Sequence, residues 1–341
     1  MRRKLFFPGR GFLVALSAGW LTLAPFSIAA RVRQLPPDVA QLYNAGLYRQ
    51  AAEALGATLE TNPNQASLYF WQGRCFFELR NFDRAIASLD RAIAIEPDNS
   101  DYHYWLGKSS GRKAEDTNRF NAFSALSLAH KTHHEFETAV RLDENNLAAQ
   151  RDLIRYLSTA PGIAGGSEEE AEHRVRVLAD VNPTEAALAQ AGIFASRKNF
   201  NEADRDYQKI LDGKHGGIRV YFEIAEYYRD RGDAAQMSAA TEAAAILAPA
   251  NSRLDYYRGI VLVLQGGDSA EAERRLTQYM NAVPDNDDVP SHATAHEWLG
   301  LLYESEEQFN RAAEQYHIAL TLDPHNKEAR EKLKALQRRR P

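Results

Sequence analysis

Cysteine is almost missing from this chain. Cys75 is the single one among 341 residues, so no disulfide can form within it. Cys75 sits mid-helix beside Gly73 and Phe76 and reads as a buried structural thiol. Positive charge is also scarce: 41 Lys and Arg stand against 46 Asp and Glu, a net charge of -5. That balance argues against a nucleic-acid partner, which needs Lys and Arg on phosphates. No G-x-x-x-x-G-K-[ST] loop, H-E-x-x-H or calcium-loop spacing occurs, and with them go the sequence signatures of phosphate, zinc-protease and calcium-loop chemistry. Asp285, Asp287 and Asp288 read as a solvated turn. Apolar runs are short, the longest near the start being the 14 residues from Gly11 to Ala24.

What the chain does have is repetition. Residues 81–99 read NFDRAIASLDRAIAIEPDN and residues 308–326 read QFNRAAEQYHIALTLDPHN. In the first copy Phe82, Ala85, Ile86, Leu89, Ala92 and Ile93 make one apolar stripe at helical spacing. Pro97 stops that helix, having no N–H to give, and Asp98 and Asn99 supply the turn. A second helix is expected from about Ser100. Helix-ending prolines are read at Pro63, Pro97, Pro183, Pro249, Pro284 and Pro324. Pro63 and Pro97 are 34 residues apart, Pro249 and Pro284 are 35, and Pro183 and Pro249 are 66, close to two periods. A weaker stop, Asp143-Glu144-Asn145-Asn146, fills the gap.

This pattern resembles the tetratricopeptide repeat (TPR) family, whose unit has about 34 residues with W-x2-L-G-x2-Y, then A, F, A and P. Its eighth position matches Gly73, Gly107, Gly192, Gly259 and Gly300. Its twentieth matches Ala51, Ala85, Ala171, Ala203, Ala272 and Ala312. The last unit agrees best, through Leu299, Gly300, Tyr303, Phe309, Ala312, Tyr316, Ala319 and Pro324. The resemblance implies an all-α, right-handed superhelical solenoid of helix-turn-helix units, about eight of them across 31–325, closed by a capping helix and basic tail at 326–341. Two units depart from the pattern. The third carries an irregular insertion at 108–130. The fourth has a Gly-rich loop at 160–167, similar to an APGxxGGS-type loop of exported bacterial TPR proteins, and Ser167 with Glu168 to Glu170 reads as a cap and acidic first turn.

In the family, first helices line the concave groove. Carried over by phase, the groove residues are Phe70, Trp71, Arg74, Phe77, Tyr104, Trp105, Lys108, Phe222, Arg253 and Tyr256, with Asp101, Glu226 and Tyr257 nearby. Aromatics mixed with Arg suit a protein interface, and the competing reading is packing between repeats. The Lys and Asn clamp of chaperone-binding TPR domains is not matched, because the corresponding positions carry Phe70, Arg74, Asp101 and Trp105. A metal alternative rests on His130 and His134, at i,i+4, with Glu137 one turn on; His292 and His296 share the spacing without a Glu.

The chain opens MRRKLFFPGRGFLVALSAGWLTLAPFSIAA, a basic start, an apolar run and small-residue cleavage candidates around Ala29 and Ala30, the layout of a secretory signal at 1–30. An uncleaved anchor over 11–30 is the alternative. Cleavage would take away four positive charges and no negative one, moving the net charge from -5 to -9. The expectation is a non-enzymatic scaffold of the cell envelope, periplasmic, with a peptide or protein partner, no nucleic acid, no cofactor, and membrane contact only through an uncleaved start.

Overall fold

The computed structural model describes residues 35–117, 121–287 and 289–339. The expected signal segment lies outside the described residues, as do residues 118–120, Asp288 and the last two positions. Among the described residues there are seventeen α-helices and no strand. They pack as consecutive pairs: α1 (Pro37–Asn44) with α2 (Tyr48–Thr61), α3 (Ala66–Glu78) with α4 (Phe82–Ile95), α5 (Ser100–Thr117) with α6 (Ala122–Leu142) and α7 (Leu147–Thr159) with α8 (Glu168–Val181). Then follow α9 (Pro183–Ser196) with α10 (Phe200–Gly213), α11 (Ile218–Asp230) with α12 (Ala234–Leu247), α13 (Arg253–Gln265) with α14 (Ser269–Ala282), and α15 (His292–Ser305) with α16 (Phe309–Leu322). The last helix, α17 (Lys327–Arg339), packs on α16 through buried Ala329, Leu333 and Leu336. None of the described helices is long and apolar enough to cross a membrane.

Sequence chemistry explains the pairing. Ala51, Ala85, Ala171, Ala203, Ala272 and Ala312 are all fully buried, because a methyl group is the largest side chain the crossing of two helices admits there. A Cβ at Gly107 would sit 2.7 Å from Phe136, and one at Gly300 2.4 Å from Tyr316. Gly192 has open space around it instead. Helix starts are capped by side chains: Asn81 accepts from the Arg84 N–H at 3.2 Å, Asn146 from Ala149 at 3.1 Å and Ser167 from Glu170 at 3.2 Å. Each such cap is worth about 1 kcal/mol. One proline differs from its reading. Pro183 does not end a helix; it opens α9 behind the cap Asn182, where its missing N–H costs nothing.

The third pair differs too. The residues read as an irregular insertion lengthen two helices, so α5 has 18 residues and α6 has 21, against 13 and 14 for α3 and α4. The core passes from repeat to repeat. One buried cluster runs from Phe136 to Ile193 and another from Leu188 to Leu336, meeting within α9. Five tyrosines are fully buried, at 102, 256, 257, 279 and 316, and each hydroxyl has a partner. Tyr257 donates to Glu226 at 2.8 Å, Tyr316 to Glu304 at 3.0 Å and Tyr102 to Glu96 at 3.4 Å, while Tyr256 accepts from Arg229 at 3.0 Å and Tyr279 donates to the Pro290 carbonyl.

Candidate functional site

The first helices of the first three pairs bring a set of cations and rings together. Tyr43 comes from α1, Trp71 and Arg74 from α3, Trp105, Lys108 and Arg112 from α5. The Arg74 guanidinium lies 4.1 Å from the Trp105 ring centroid, 4.9 Å from that of Trp71 and 5.3 Å from that of Tyr43. The Lys108 ammonium stands 4.5 Å over Trp105 and 5.3 Å over Phe77. Such contacts are worth about 0.5–2 kcal/mol each, more as water is excluded. They hold the long cationic side chains against these rings. The Trp71 indole N–H is buried and has no hydrogen-bond partner among the described residues.

The other expected groove residues fall elsewhere. Phe70 and Phe77 are buried between repeats, Phe70 packing 5.0 Å from Tyr102 and Phe77 5.3 Å from Trp105. Trp105 is also largely buried, so its ring face under Arg74 and Lys108 is its contribution. Tyr104 turns toward α7 and donates to Asp152 at 3.1 Å. Phe222 is buried and stacked on Tyr257 at 4.9 Å, and Tyr256 is fully buried. Arg253 lies 5.8 Å from the Phe222 ring. In this second group burial pushes the Glu226 carboxyl up while Arg229 and the Tyr257 hydroxyl pull it back, and the net shift is upward. Its polar atoms serve one another inside the stack.

What sequence reading missed is the occupant of the first groove. The connection between α14 and α15 spans nine residues, 283–291, where the other turns between pairs have one to five. Its base is tied down: the Tyr279 hydroxyl donates to Pro290 O, the His292 ring bonds Val283 O at 2.8 Å, and Asp285 accepts from the His292 N–H at 3.1 Å. Its tip reaches the start of the chain. Pro284 lies against Gly46, so close that a Cβ there would meet it at 2.9 Å. Tyr48 donates to the Asp285 carbonyl at 3.3 Å, and the Asp287 N–H donates to Glu78 at 3.0 Å, whose other oxygen accepts from Tyr43 at 3.2 Å. The Asp287 carboxylate pairs with Lys108 at 2.7 Å and with Arg112.

The side chains of Asp287 and Lys108 are each only 16% exposed, so this part of the acidic turn is not solvated, contrary to its sequence reading. Burial by itself would raise the Asp287 carboxyl; Lys108 and Arg112 outweigh it and hold the group below its usual range. A sequence signal existed in the extra length of the turn and its two prolines.

Beside Asp287 a cavity of about 960 Å³ opens between α5, α6, α7 and the Gly-rich loop, with Arg112, Phe136, Arg155, Tyr156 and Ile163 in its lining. Histidines build that loop rather than a metal centre. His130 bonds Ile163 O at 2.8 Å, and His133 stacks on Tyr156 at 5.5 Å. The Tyr156 hydroxyl lies 2.6 Å from Ala164 O and 2.8 Å from Ala129 O. Gly166 has no room for a side chain, since a Cβ would fall 1.8 Å from Ala160 O. Glu137 faces His133 at 3.5 Å and Arg174 at 3.6 Å. The alternative of His130, His134 and Glu137 as metal ligands is therefore corrected: no group of three His, Cys, Asp or Glu among the described residues can hold a metal ion.

The helix pairs, their small-residue crossings and their concave first helices define a TPR solenoid. The tetratricopeptide repeat family profile matches at residues 41–100, 76–109 and 262–327, so the chain carries repeats of that kind in its first three helix pairs and its last two. No curated protein matches it. A tetratricopeptide repeat protein from Parabacteroides merdae is 17% identical with a TM-score of 0.46, over 80% of this chain and 98% of that one. The human IFIT1 dimer with m7Gppp-AAAA is 15% identical with a TM-score of 0.52, over 85% and 67%. The human IFIT1 dimer with PPP-AAAA is 15% identical with a TM-score of 0.51, over 88% and 72%. At such identities the likeness is one of fold.

Proposed function

We propose that the protein is a non-enzymatic scaffold of the cell envelope that binds an extended peptide or protein segment in the groove of its first three helix pairs. Repeat solenoids are interaction scaffolds in general, because stacking leaves a long concave surface. One observation carries the finer reading: an acidic chain segment, the protein's own, is held here by Tyr48, Glu78, Lys108 and Arg112, beside the cation–ring cluster of Arg74, Lys108 and Trp105. Export rests on the layout of residues 1–30 and on the APGIAGGS loop, which resembles loops of exported TPR proteins.

The IFIT1 structures hold triphosphate oligonucleotides. The acidic composition of this chain favours a protein partner, and the test separates the two. Wild type and a Trp71→Ala, Lys108→Ala double variant are crosslinked in cells, purified from nuclease-treated and untreated extracts, and their N-termini weighed intact. An envelope protein captured by wild type, lost in the variant and resistant to nuclease is the expected result, with a terminus near residue 30. Nuclease-sensitive capture, or capture unchanged in the variant, overturns the groove reading. An intact Met1 replaces the periplasmic assignment with a membrane-anchored one.

A further inference from the structure

We infer that residues 284–287 act as an internal ligand: they close the first groove, and the partner that opens it is an acidic segment of another protein presenting a side-chain carboxylate where Asp287 now sits. This deepens the scaffold reading and rests on it.

Several independent contacts argue for a seated ligand rather than a passing loop. The backbone of the segment is read, through Tyr48 on the Asp285 carbonyl and Glu78 on the Asp287 N–H. Its one deeply placed side chain is read by two cations. Pro284 fits the bare backbone of Gly46, which stands at φ +73° where only glycine is at ease. Backbone reading plus one anchored side chain is how a groove recognises a peptide segment.

The contact is also one that a competitor can replace. Its Asp287 contacts are polar and lie two residues beyond Asp285, whose carboxylate is tied to the start of α15. Releasing Asp287 leaves the ties at the loop's base in place. A second acidic segment would offer Lys108 and Arg112 the same carboxylate. A groove open for only a fraction of the time binds its ligand with an affinity reduced by that fraction. The loop therefore sets a threshold that only a well-matched segment passes.

The test uses the full chain. Wild type, Asp287→Asn and Asp287→Lys are titrated with a fluorescein-labelled peptide of residues 283–291 and followed by anisotropy at low and high salt. Hydrogen exchange of 283–291 is read on the same samples. Both variants are expected to exchange faster in the loop and to bind the peptide about tenfold tighter than wild type, by the population argument above. Adding Lys108→Ala and Arg112→Ala is expected to abolish that binding. Loop exchange unchanged in both variants overturns the closure. Faster exchange without peptide binding overturns the acidic ligand, and the crosslinking experiment then judges the scaffold reading alone. A triphosphate oligonucleotide bound in preference to the peptide by the opened chain overturns it in favour of nucleic acid.

Discussion

Gly300→Ala and Gly192→Ala are the same chemical change at the same repeat position, and their effects should have opposite signs. Both glycines lie inside helices, where alanine is favoured by about 1 kcal/mol. At Gly192 nothing lies within 4 Å of the new methyl, so that gain stands alone. At Gly300 the methyl would fall 2.4 Å from Cε1 and 2.7 Å from Cδ1 of Tyr316, a fully buried ring whose hydroxyl is tied to Glu304 at 3.0 Å. The ring cannot step aside without breaking that bond or moving α16. Overpacking of this kind costs about 1–3 kcal/mol, and the severity of the overlap argues for the upper end. Subtracting the helix gain leaves Gly300→Ala destabilised by about 2 kcal/mol, roughly 3 kcal/mol below Gly192→Ala. Urea unfolding followed by circular dichroism measures the difference, and hydrogen exchange of α15 and α16 shows where it arises. If Gly300→Ala is as stable as the parent chain, the close crossing of α15 and α16 is not what fixes glycine there.

Three further outcomes follow from the geometry. The Asp287 carboxyl is held below its usual 3.8, so its contact stabilises closure above that value and is lost as pH falls through the lowered one. The near-ultraviolet dichroism of Trp71 and Trp105 should change as the pH falls below 3.8, and Asp287→Asn should lack the step. Glu78 on the loop amide and Glu115 beside Arg112 face the same cluster, so a step of full size in Asp287→Asn would assign it to them instead. Tyr156→Phe removes the hydroxyl between Ala129 O and Ala164 O and should cost about 1 kcal/mol, with faster exchange across 160–167; unchanged exchange there would refute that role. Burial pushes the Cys75 thiol up to about 12, so Ellman's reagent should label it only on unfolding, and rapid labelling of the native chain would contradict its placement.

How much of this was legible depended on how far apart the partners lie. The phase of Ala85 and Ala312 and the stop at Pro97 are local facts, and they carried the helix pairs correctly. Pro183 was misplaced because a proline after a polar residue serves a helix start as well as a stop, and Asn182 decides between them. Phase put Arg74, Lys108, Phe70 and Phe77 on one expected groove face, and it could not show that Phe70 and Phe77 are buried. The loop at 284–287 was out of reach. Its partners lie 237, 209 and 175 residues away, and only the accumulated turn of the stack brings them together. His130 and His134 showed a ligand-like spacing, yet spacing does not reveal that a carbonyl at Ile163 would claim one of them.

The meeting of Pro284 with Gly46 also bears on how such a chain can evolve. Repeat arrays ordinarily grow and shrink by whole units, since each copy answers only to its neighbours. Here the copies between Tyr48 and Asp285 act as a spacer of fixed length and fixed rotation. Duplicating or deleting one would swing the loop away from the groove while leaving every local interface intact. The number of repeats in this segment is thereby tied to a contact that none of them makes alone.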